Sequence, residues 1–170
     1  MPSIPAEWKQ VLDRIQRVQP SAIIAGGALR DIILRRPVKD VDIFINASTG
    51  VYPAQILDLF PREDIEVKYE DEYGIGSDIK FIISLGKNYD YDIIVGDDVT
   101  CDPNQFDTSI CQVHTSDCVH IIPTQAFLET LITKQVVVTN FARYSSERMN
   151  RLINKFPDYR IEECNDDIPF

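Results

Sequence analysis

Apolar residues near the start of the chain recur at the three- and four-residue spacing of one helix face. The members of this stripe are Trp8, Val11, Leu12, Ile15 and Val18. Because residues at this spacing share one side of an α-helix, they predict a helix that packs its stripe against a core. Pro20 would end that helix, since its nitrogen has no hydrogen to donate.

A short strand, a glycine turn and a second helix are predicted next. The run from Ser21 to Ala25 is short, apolar and β-branched, as expected for a buried strand, and Gly26 and Gly27 follow it at once. Residues 28–36 then have a helical pattern that Pro37 closes. The predicted order is therefore strand, tight turn and helix.

Charged and apolar residues alternate over 38–46, and this period of two predicts a strand with one buried face. The residues on the buried face would be Val41, Ile43 and Ile45. Asp40 and Asp42 would then share the opposite face, where they are open to solvent or to a ligand.

The rest of the chain alternates between the same two periods. Helices are predicted at 53–60, 124–134 and 145–156, and strands at 66–69, 80–85, 91–95 and 136–139. Residues 109–114 and 118–122 flank a short break and predict a hairpin, and 70–78, with Gly74 and Gly76, predicts a loop. This mixture of strands and helices predicts an α/β or α+β fold.

Length and composition favour one compact domain. The chain has 170 residues, of which 44% are apolar, enough to form an ordinary globular core. It contains no apolar stretch of the roughly 20 residues that a membrane helix needs, and its start does not resemble a secretory signal. We therefore expect a cytoplasmic protein, without a membrane partner, whose four cysteines are reduced.

The net charge restricts how a polyanion could bind. The formal charge is −10, which opposes broad attraction to phosphate backbones, so a nucleic acid would have to meet a local basic patch. Such patches are present between Arg30 and Lys39 and between Arg143 and Arg160. The acidic runs at 70–72, 97–98 and 162–167 are interpreted as solvated loops and tail.

Three aspartates are candidate catalytic metal ligands. Side chains two apart on a strand start roughly 6.6 Å apart on one face, so Asp40 and Asp42 could flank one metal site. Nucleotidyl transfer with two metals needs carboxylates that hold divalent ions about 3.5–4 Å apart. Asp90 or Asp92 could supply a third carboxylate, and we select Asp92 because it lies deeper in its apolar run. Carboxylate oxygens favour Mg²⁺ or Mn²⁺.

Gly26 and Gly27 are candidates for binding phosphate. Because glycine has no Cβ, a triphosphate can approach these N–H groups closely, and the helix that follows adds partial positive charge. Arg30, one turn into that helix, could strengthen the attraction. Each element alone is usually only structural, and it is their conjunction that indicates a site.

The segment GGALRDIILRRPVKDVDIFI, Gly26 to Ile45, resembles the G-G-x-x-R-D-x-h-h-x-x-x-P-x-x-D-h-D-h segment (h, apolar) that opens the head domain of CCA-adding enzymes and bacterial poly(A) polymerases. These enzymes belong to the DNA polymerase β-like nucleotidyltransferase superfamily. The resemblance implies a mixed β-sheet with helices packed on one face. It also implies that a nucleoside triphosphate, such as ATP or CTP, binds with Mg²⁺ and is attacked at its α-phosphate, releasing pyrophosphate.

The resemblance also assigns expected roles to single residues. Gly26 and Gly27 would bind the triphosphate, Asp40 and Asp42 would hold the metals, and Arg30 and Asp31 would support the site. Residues 106–113, FDTSICQV, stand where the family has R-D-F-T-I-N-A-L. Asp107 and Ser109 are therefore expected nucleotide contacts, whereas Phe106 replaces the arginine. Residues 147–156 resemble the arginine-bearing helix that begins the family's neck domain.

We predict a nucleotidyltransferase head-like domain over 1–142, with the C-terminal helix and acidic tail of 143–170 packed on it. The predicted function is metal-dependent transfer of a nucleoside monophosphate to a hydroxyl of RNA, such as a tRNA 3′ end, of a protein or of a small molecule. The alternative is a non-catalytic nucleotide-binding or regulatory protein that keeps this fold, which Phe106 and the net charge suggest. A homo-oligomer, or a partner that recognises the acceptor, is a further expectation.

Two weaker hypotheses concern zinc and base stacking. The zinc candidates are Cys111, His114, Cys118 and His120. A hairpin that pairs His114 with Cys118 turns Cys111 to the opposite face and leaves an unfamiliar ligand spacing. The candidates for stacking on a base are Tyr89, Tyr91 and Phe106, although aromatic residues beside strands more often belong to the core.

Overall fold

The computed structural model describes residues 3–61, 64–69, 78–86, 90–139 and 146–162. Several predicted features lie outside these residues, namely the loop with Gly74 and Gly76, the acidic run at 70–72, Tyr89, Arg143 and the tail from 163 onward.

The elements agree with most of the predicted ones to within a few residues. In chain order they are α1 (Ala6–Gln16), β1 (Ile23–Ala25), α2 (Gly27–Ile33), β2 (Val41–Asn46), α3 (Pro53–Leu57), β3 (Ile65–Tyr69), β4 (Ile79–Leu85), β5 (Tyr91–Gly96), β6 (Val113–Thr115), β7 (Ile122–Pro123), α4 (Gln125–Thr133), β8 (Gln135–Val137), α5 (Ser146–Lys155) and β9 (Arg160–Glu162). Short 3₁₀ helices lie at Ala47–Thr49, Pro103–Gln105 and Ser109–Cys111.

The first seven strands form one mixed sheet in the order β3-β4-β5-β2-β1-β6-β7. β2 and β5 run parallel, and every other neighbouring pair in this sheet is antiparallel. The predicted mixed α/β architecture is therefore confirmed. β8 and β9 pair in parallel as a separate two-stranded sheet. β9 was not predicted, because its sequence, Arg-Ile-Glu, contains a single apolar residue.

The main core lies between the sheet and the helices α1, α2 and α3. Val41, Ile43 and Ile45 are buried on one face of β2, where they join the α1 stripe of Trp8, Leu12 and Ile15. Val18, placed in that stripe by the sequence pattern, is 39% exposed because α1 ends at Gln16. The other face of β2, with Asp42, Phe44 and Asn46, is only partly covered and remains available for a site.

α5 packs in a second, smaller apolar cluster. Its Leu152 and the following Phe156 contact Ile110, Cys111 and Val136 there. Polar contacts add to this packing, since Lys155 donates a 2.8 Å hydrogen bond to Asp31 of α2. The guanidinium of Arg36 lies 4.5 Å from the centroid of the Phe156 ring. α5 is thus held against the segment that contains the glycine turn.

The predicted hairpin exists with a different register. β6 and β7 pair His114 with Ile122, not with Cys118, so the connection runs from 116 to 121. The longer connection is stabilised by Asp117, whose carboxylate accepts hydrogen bonds from the N–H groups of Val119 and His120. Cys118 adopts a left-handed conformation there, with φ of 56°. The predicted pairing of His114 with Cys118, which was used to judge the zinc hypothesis, is therefore wrong.

The cysteine positions also argue against zinc. Cys111 belongs to the second cluster and Cys118 to the main core, while the exposed His120 pairs with Asp117. Cys101, Cys111 and Cys118 are free thiols in the part of the chain that the structure describes. Among the helices of the described residues, none is long and apolar enough to cross a membrane.

Truncation of Ile43 tests how strongly the alternating face of β2 supports the fold. Ile43 is fully buried, so Ile43→Ala should lower the free energy of unfolding by about 2–5 kcal/mol through lost burial and a residual cavity. Ile132→Ala is the matched control, because Ile132 is 83% exposed and its truncation should change stability by less than about 0.5 kcal/mol. Urea unfolding followed by circular dichroism measures both, and equal losses would contradict this assignment of the core.

Candidate active site

The glycine turn between β1 and α2 forms one wall of the site. Gly26 has φ of +89°, a region that favours glycine, and its N–H donates a 2.9 Å hydrogen bond to the carbonyl of Val113 on β6. A Cβ on Gly27 would lie 3.0 Å from Nη2 of Arg30. The backbone conformation at Gly26 and the nearby Arg30 side chain at Gly27 therefore favour glycine at these positions. The absence of a Cβ would also leave space for a phosphate.

Asp42 and Asp92 meet across the parallel strands at the centre of the sheet. They are register partners on β2 and β5, on the face opposite the main core. Both line a charged cavity of about 450 Å³, together with Asp40, which precedes β2. Ser84, across from Asp92 on β4, donates a 2.6 Å hydrogen bond to its Oδ1 and fixes that carboxylate. The sequence-predicted aspartates are thus brought to one cavity.

The placement also separates Asp92 from Asp90. The backbone carbonyl of Asp90 accepts a 2.8 Å hydrogen bond from the N–H of Val41. Its side chain lines cavities near Glu7 and Tyr91 at another part of the surface. Asp92 is therefore the one that faces Asp42, and its selection as a metal ligand stays a prediction.

Ionisation of the carboxylates in the cavity is unfavourable, because they are buried close to one another. The pKa of Asp42 is raised to about 7, chiefly by burial and also by the neighbouring Asp92 and Asp40, against the opposing effect of Arg148 and Arg30. Burial also raises the pKa of Asp92, with an added contribution from Asp40, whereas the hydrogen bond from Ser84 lowers it. A bound cation would stabilise the ionised form of these carboxylates.

The donor set fits a hard divalent cation such as Mg²⁺ or Mn²⁺. Asp42 and Asp92 offer facing carboxylate oxygens, which are the ligands that these ions prefer. Within the described ranges no three His, Cys, Asp or Glu side chains are grouped closely enough to hold a metal. Asp40 lines the same cavity, but it does not lie close enough to Asp42 and Asp92 to form a cluster of three carboxylates with them.

Arg30 and Asp31 link α2 to α5. Nε of Arg30 lies 3.0 Å from Oδ1 of Asp31, and Nζ of Lys155 lies 2.8 Å from the other oxygen. Nη1 of Arg30 donates to Sγ of Cys111 at 3.4 Å. Arg30 and Asp31 are both buried, so their charges are used within the protein. This geometry suits the supporting role expected of them better than direct capture of a nucleotide.

Asp107 is bound by an arginine that the sequence analysis did not single out. Nη2 of Arg148 donates a 2.9 Å hydrogen bond to Oδ1 of Asp107, and its Nε pairs with the second oxygen. Arg148 also lines the charged cavity beside Asp42. The sequence signal was the spacing of Arg148, Arg151 and Lys155, which places all three on one side of a helix.

Ser109 lies in the interior. Its hydroxyl is 2.6 Å from that of Thr130 on α4 and accepts a 2.9 Å hydrogen bond from the N–H of Val137 on β8. The residue is fully buried and lines neither cavity of the site. A nucleotide contact by Ser109 stays a prediction, and this placement does not favour it.

A second, mostly apolar cavity of about 270 Å³ adjoins the charged one. Phe44 and Phe106 line it with ring centroids 5.2 Å apart, and Ile79 and Ile94 complete its apolar part. The two cavities share Gly27, Asp42, Cys111 and Arg148. Phe106 is thus placed where a flat apolar ligand could stack, whereas Tyr91 is buried in the main core.

Part of the chain is similar in sequence to known proteins. Residues 22–93 match the family described as Poly A polymerase head domain. The CCA-adding enzyme of Limosilactobacillus fermentum is 38% identical over 63 residues, which are 35% of this chain and 15% of that protein. The chain therefore aligns with only a small part of that curated relative.

Solved structures match over almost the whole chain. The Bacillus stearothermophilus CCA-adding enzyme in complex with CTP superimposes with a TM-score of 0.62 at 18% identity, over 94% of this chain and 42% of that one. A tRNA nucleotidyltransferase complexed with a primer tRNA and an incoming ATP analogue gives a TM-score of 0.59 at 19% identity, over 89% and 46%. The chain therefore has the fold of these enzymes, and residues 22–93 resemble the Poly A polymerase head domain.

Proposed function

We propose that this protein transfers a nucleoside monophosphate from a nucleoside triphosphate to a hydroxyl at an RNA 3′ end, such as that of a tRNA, and releases pyrophosphate. The observation that carries the proposal is the pairing of Asp42 with Asp92 beside the glycine turn. The complexes of similar proteins with CTP, with tRNA and with an ATP analogue support this class of substrate. A cytoplasmic location is part of the same proposal.

Mg²⁺ or Mn²⁺ is the cofactor that we propose for this site. Asp42 and Asp92 would hold it, with Asp40 contributing from the rim of the cavity. When bound, such an ion offsets negative charge on the phosphates and favours attack by the acceptor oxygen. Ser84 keeps Asp92 in place through its hydrogen bond to Oδ1, so one ligand is oriented in advance.

The shapes of the two cavities suggest how a nucleotide would lie. The base would enter the apolar cavity beside Phe44 and Phe106, and the phosphates would pass Gly27 into the charged cavity. The cavities meet at Gly27 and Asp42, so the α-phosphate would lie next to the carboxylates. Asp107 would act indirectly, because it holds Arg148 at the junction.

The non-catalytic alternative has one specific observation in its favour. Phe106 stands where the similar family has an arginine, and its ring lies against Phe44 in the apolar cavity. That position supplies no positive charge for phosphates. A protein that binds a nucleotide or a partner without transferring the nucleotide would need the apolar cavity but not the pair of carboxylates.

A labelling experiment separates the two functions. The protein is incubated with each α-labelled triphosphate, Mg²⁺ and tRNA that lacks its 3′ end. Wild type should label the RNA, and Asp42→Asn or Asp92→Asn should each lower the rate by roughly a hundredfold or more through lost charge stabilisation. Asp58→Asn, at an exposed position outside both cavities, should leave the rate unchanged. Absence of labelling with every acceptor, together with binding of ATP, would favour the non-catalytic function.

Metal binding can be tested without measuring activity. Asp42→Asn removes a carboxylate that is crowded by Asp92, so at pH 8 without metal the variant should be more stable than wild type by about 1–2 kcal/mol. Millimolar Mg²⁺ should raise the melting temperature of wild type, since an ion that binds only the folded state stabilises it. The variant should respond much less. An equal response of both proteins would show that Asp42 is not a ligand.

A further inference from the structure

The charged cavity has more basic side chains than it uses within the protein. Five of them line it, namely Arg30, Lys39, Arg148, Arg151 and Lys155. Arg30 and Lys155 both pair with Asp31, and Arg148 pairs with Asp107. Lys39 and Arg151 are exposed, and neither makes a hydrogen bond or an ion pair with the residues that the structure describes.

Arg151 is held at the cavity by its neighbours on α5. The ion pair of Arg148 with Asp107 lies three residues before it, and that of Lys155 with Asp31 lies four residues after it. Leu152, next to it, is buried in the second cluster. Three anchors on one short helix fix the backbone of Arg151, while its guanidinium stays available.

Lys39 lines the same cavity from the segment that precedes β2. It directly precedes Asp40 in the segment that leads into β2, and Asp42 begins the facing carboxylate pair two residues later. An ammonium at this place offsets the local negative charge that would otherwise repel an anionic substrate. Lys39 and Arg151 therefore bring positive charge to the cavity from the segment before β2 and from α5.

We propose that Lys39 and Arg151 bind phosphate groups at the charged cavity, either the triphosphate of the nucleotide or the backbone phosphates of the acceptor strand. Guanidinium and ammonium groups are the usual partners of phosphate in proteins. A chain of charge −10 needs such a local pair to attract any polyanion. The inference rests on the proposed function for the identity of the substrates. Lys39 and Arg151 belong to the two basic patches of the sequence, whereas Arg30, which was expected to attract the triphosphate, is paired with Asp31.

A double variant tests the proposal. Lys39→Gln with Arg151→Gln is compared with Arg17→Gln with Lys134→Gln, which removes the same charge at exposed positions outside the cavities. Each protein is titrated with inorganic tripolyphosphate and with a short single-stranded RNA at several salt concentrations. Circular dichroism verifies that the variants are folded, and the single variants replace the double one if it is not.

The two sources of phosphate give different results. If the triphosphate is the ligand, affinity for tripolyphosphate should fall roughly tenfold or more in the double variant, while RNA binding is unchanged. If the acceptor backbone is the ligand, RNA affinity should fall and the slope of log K against log salt should become shallower by about 1.4, for two lost contacts. Arg151→Lys should retain part of whichever affinity is lost.

The outcomes also separate this inference from the proposed function. Equal binding by the double variant and its control in both titrations overturns the inference, as does failure of wild type to bind either probe. If wild type and the double variant label RNA at the same rate, the inference is overturned and the proposed function is not. Binding of phosphate that depends on Lys39 and Arg151, with no labelling of any acceptor, supports the inference and counts against the proposed function.

Discussion

The parallel pairing of β2 with β5 is the constraint on which the site depends. It sets Asp42 directly opposite Asp92, and it does so because the other faces of both strands are buried in the main core. Since side chains alternate strictly along a strand, a slip of one residue would turn Ile43 out of the core and the carboxylate into it. The energy of the apolar core therefore fixes the geometry of the charged cavity.

This arrangement has an electrostatic cost that the rest of the structure offsets. Burial raises the pKa of Asp42 to about 7, and repulsion by the facing Asp92 contributes to this increase. Arg148 and Arg30 reduce the repulsion, and each is kept near by a buried carboxylate of its own, Asp107 or Asp31. The ion pair of Lys155 with Asp31 extends this network to the end of α5. α5 thus contributes both charge and cover to the site.

The sequence predicted the parts of the fold whose signal is local. The alternation of Val41, Ile43 and Ile45 identified β2 and its buried face, and the glycine pair identified the turn into α2. Contacts between distant residues were not predictable in this way. Arg148 is separated from Asp107 by 41 residues, and no pattern in either segment indicates the partner. The interior position of Ser109 was not predictable for a similar reason, because the local sequence does not show whether a hydroxyl bonds to other elements of the protein or faces a ligand.

The balance between catalysis and simple binding turns on the carboxylate pair. A protein that only binds a nucleotide in the apolar cavity, beside Phe44 and Phe106, gains nothing from two carboxylates that destabilise each other in the adjoining one. Asp92 is moreover held by Ser84, whose hydroxyl would have no such partner if Asp92 were replaced by an apolar residue. Strain of this kind is characteristic of sites that act on charge as it develops or on a bound cation. Phe106 removes one expected positive group, but Lys39 and Arg151 offer others at the cavity that contains the pair. The carboxylate pair therefore favours the proposed transfer over the non-catalytic alternative.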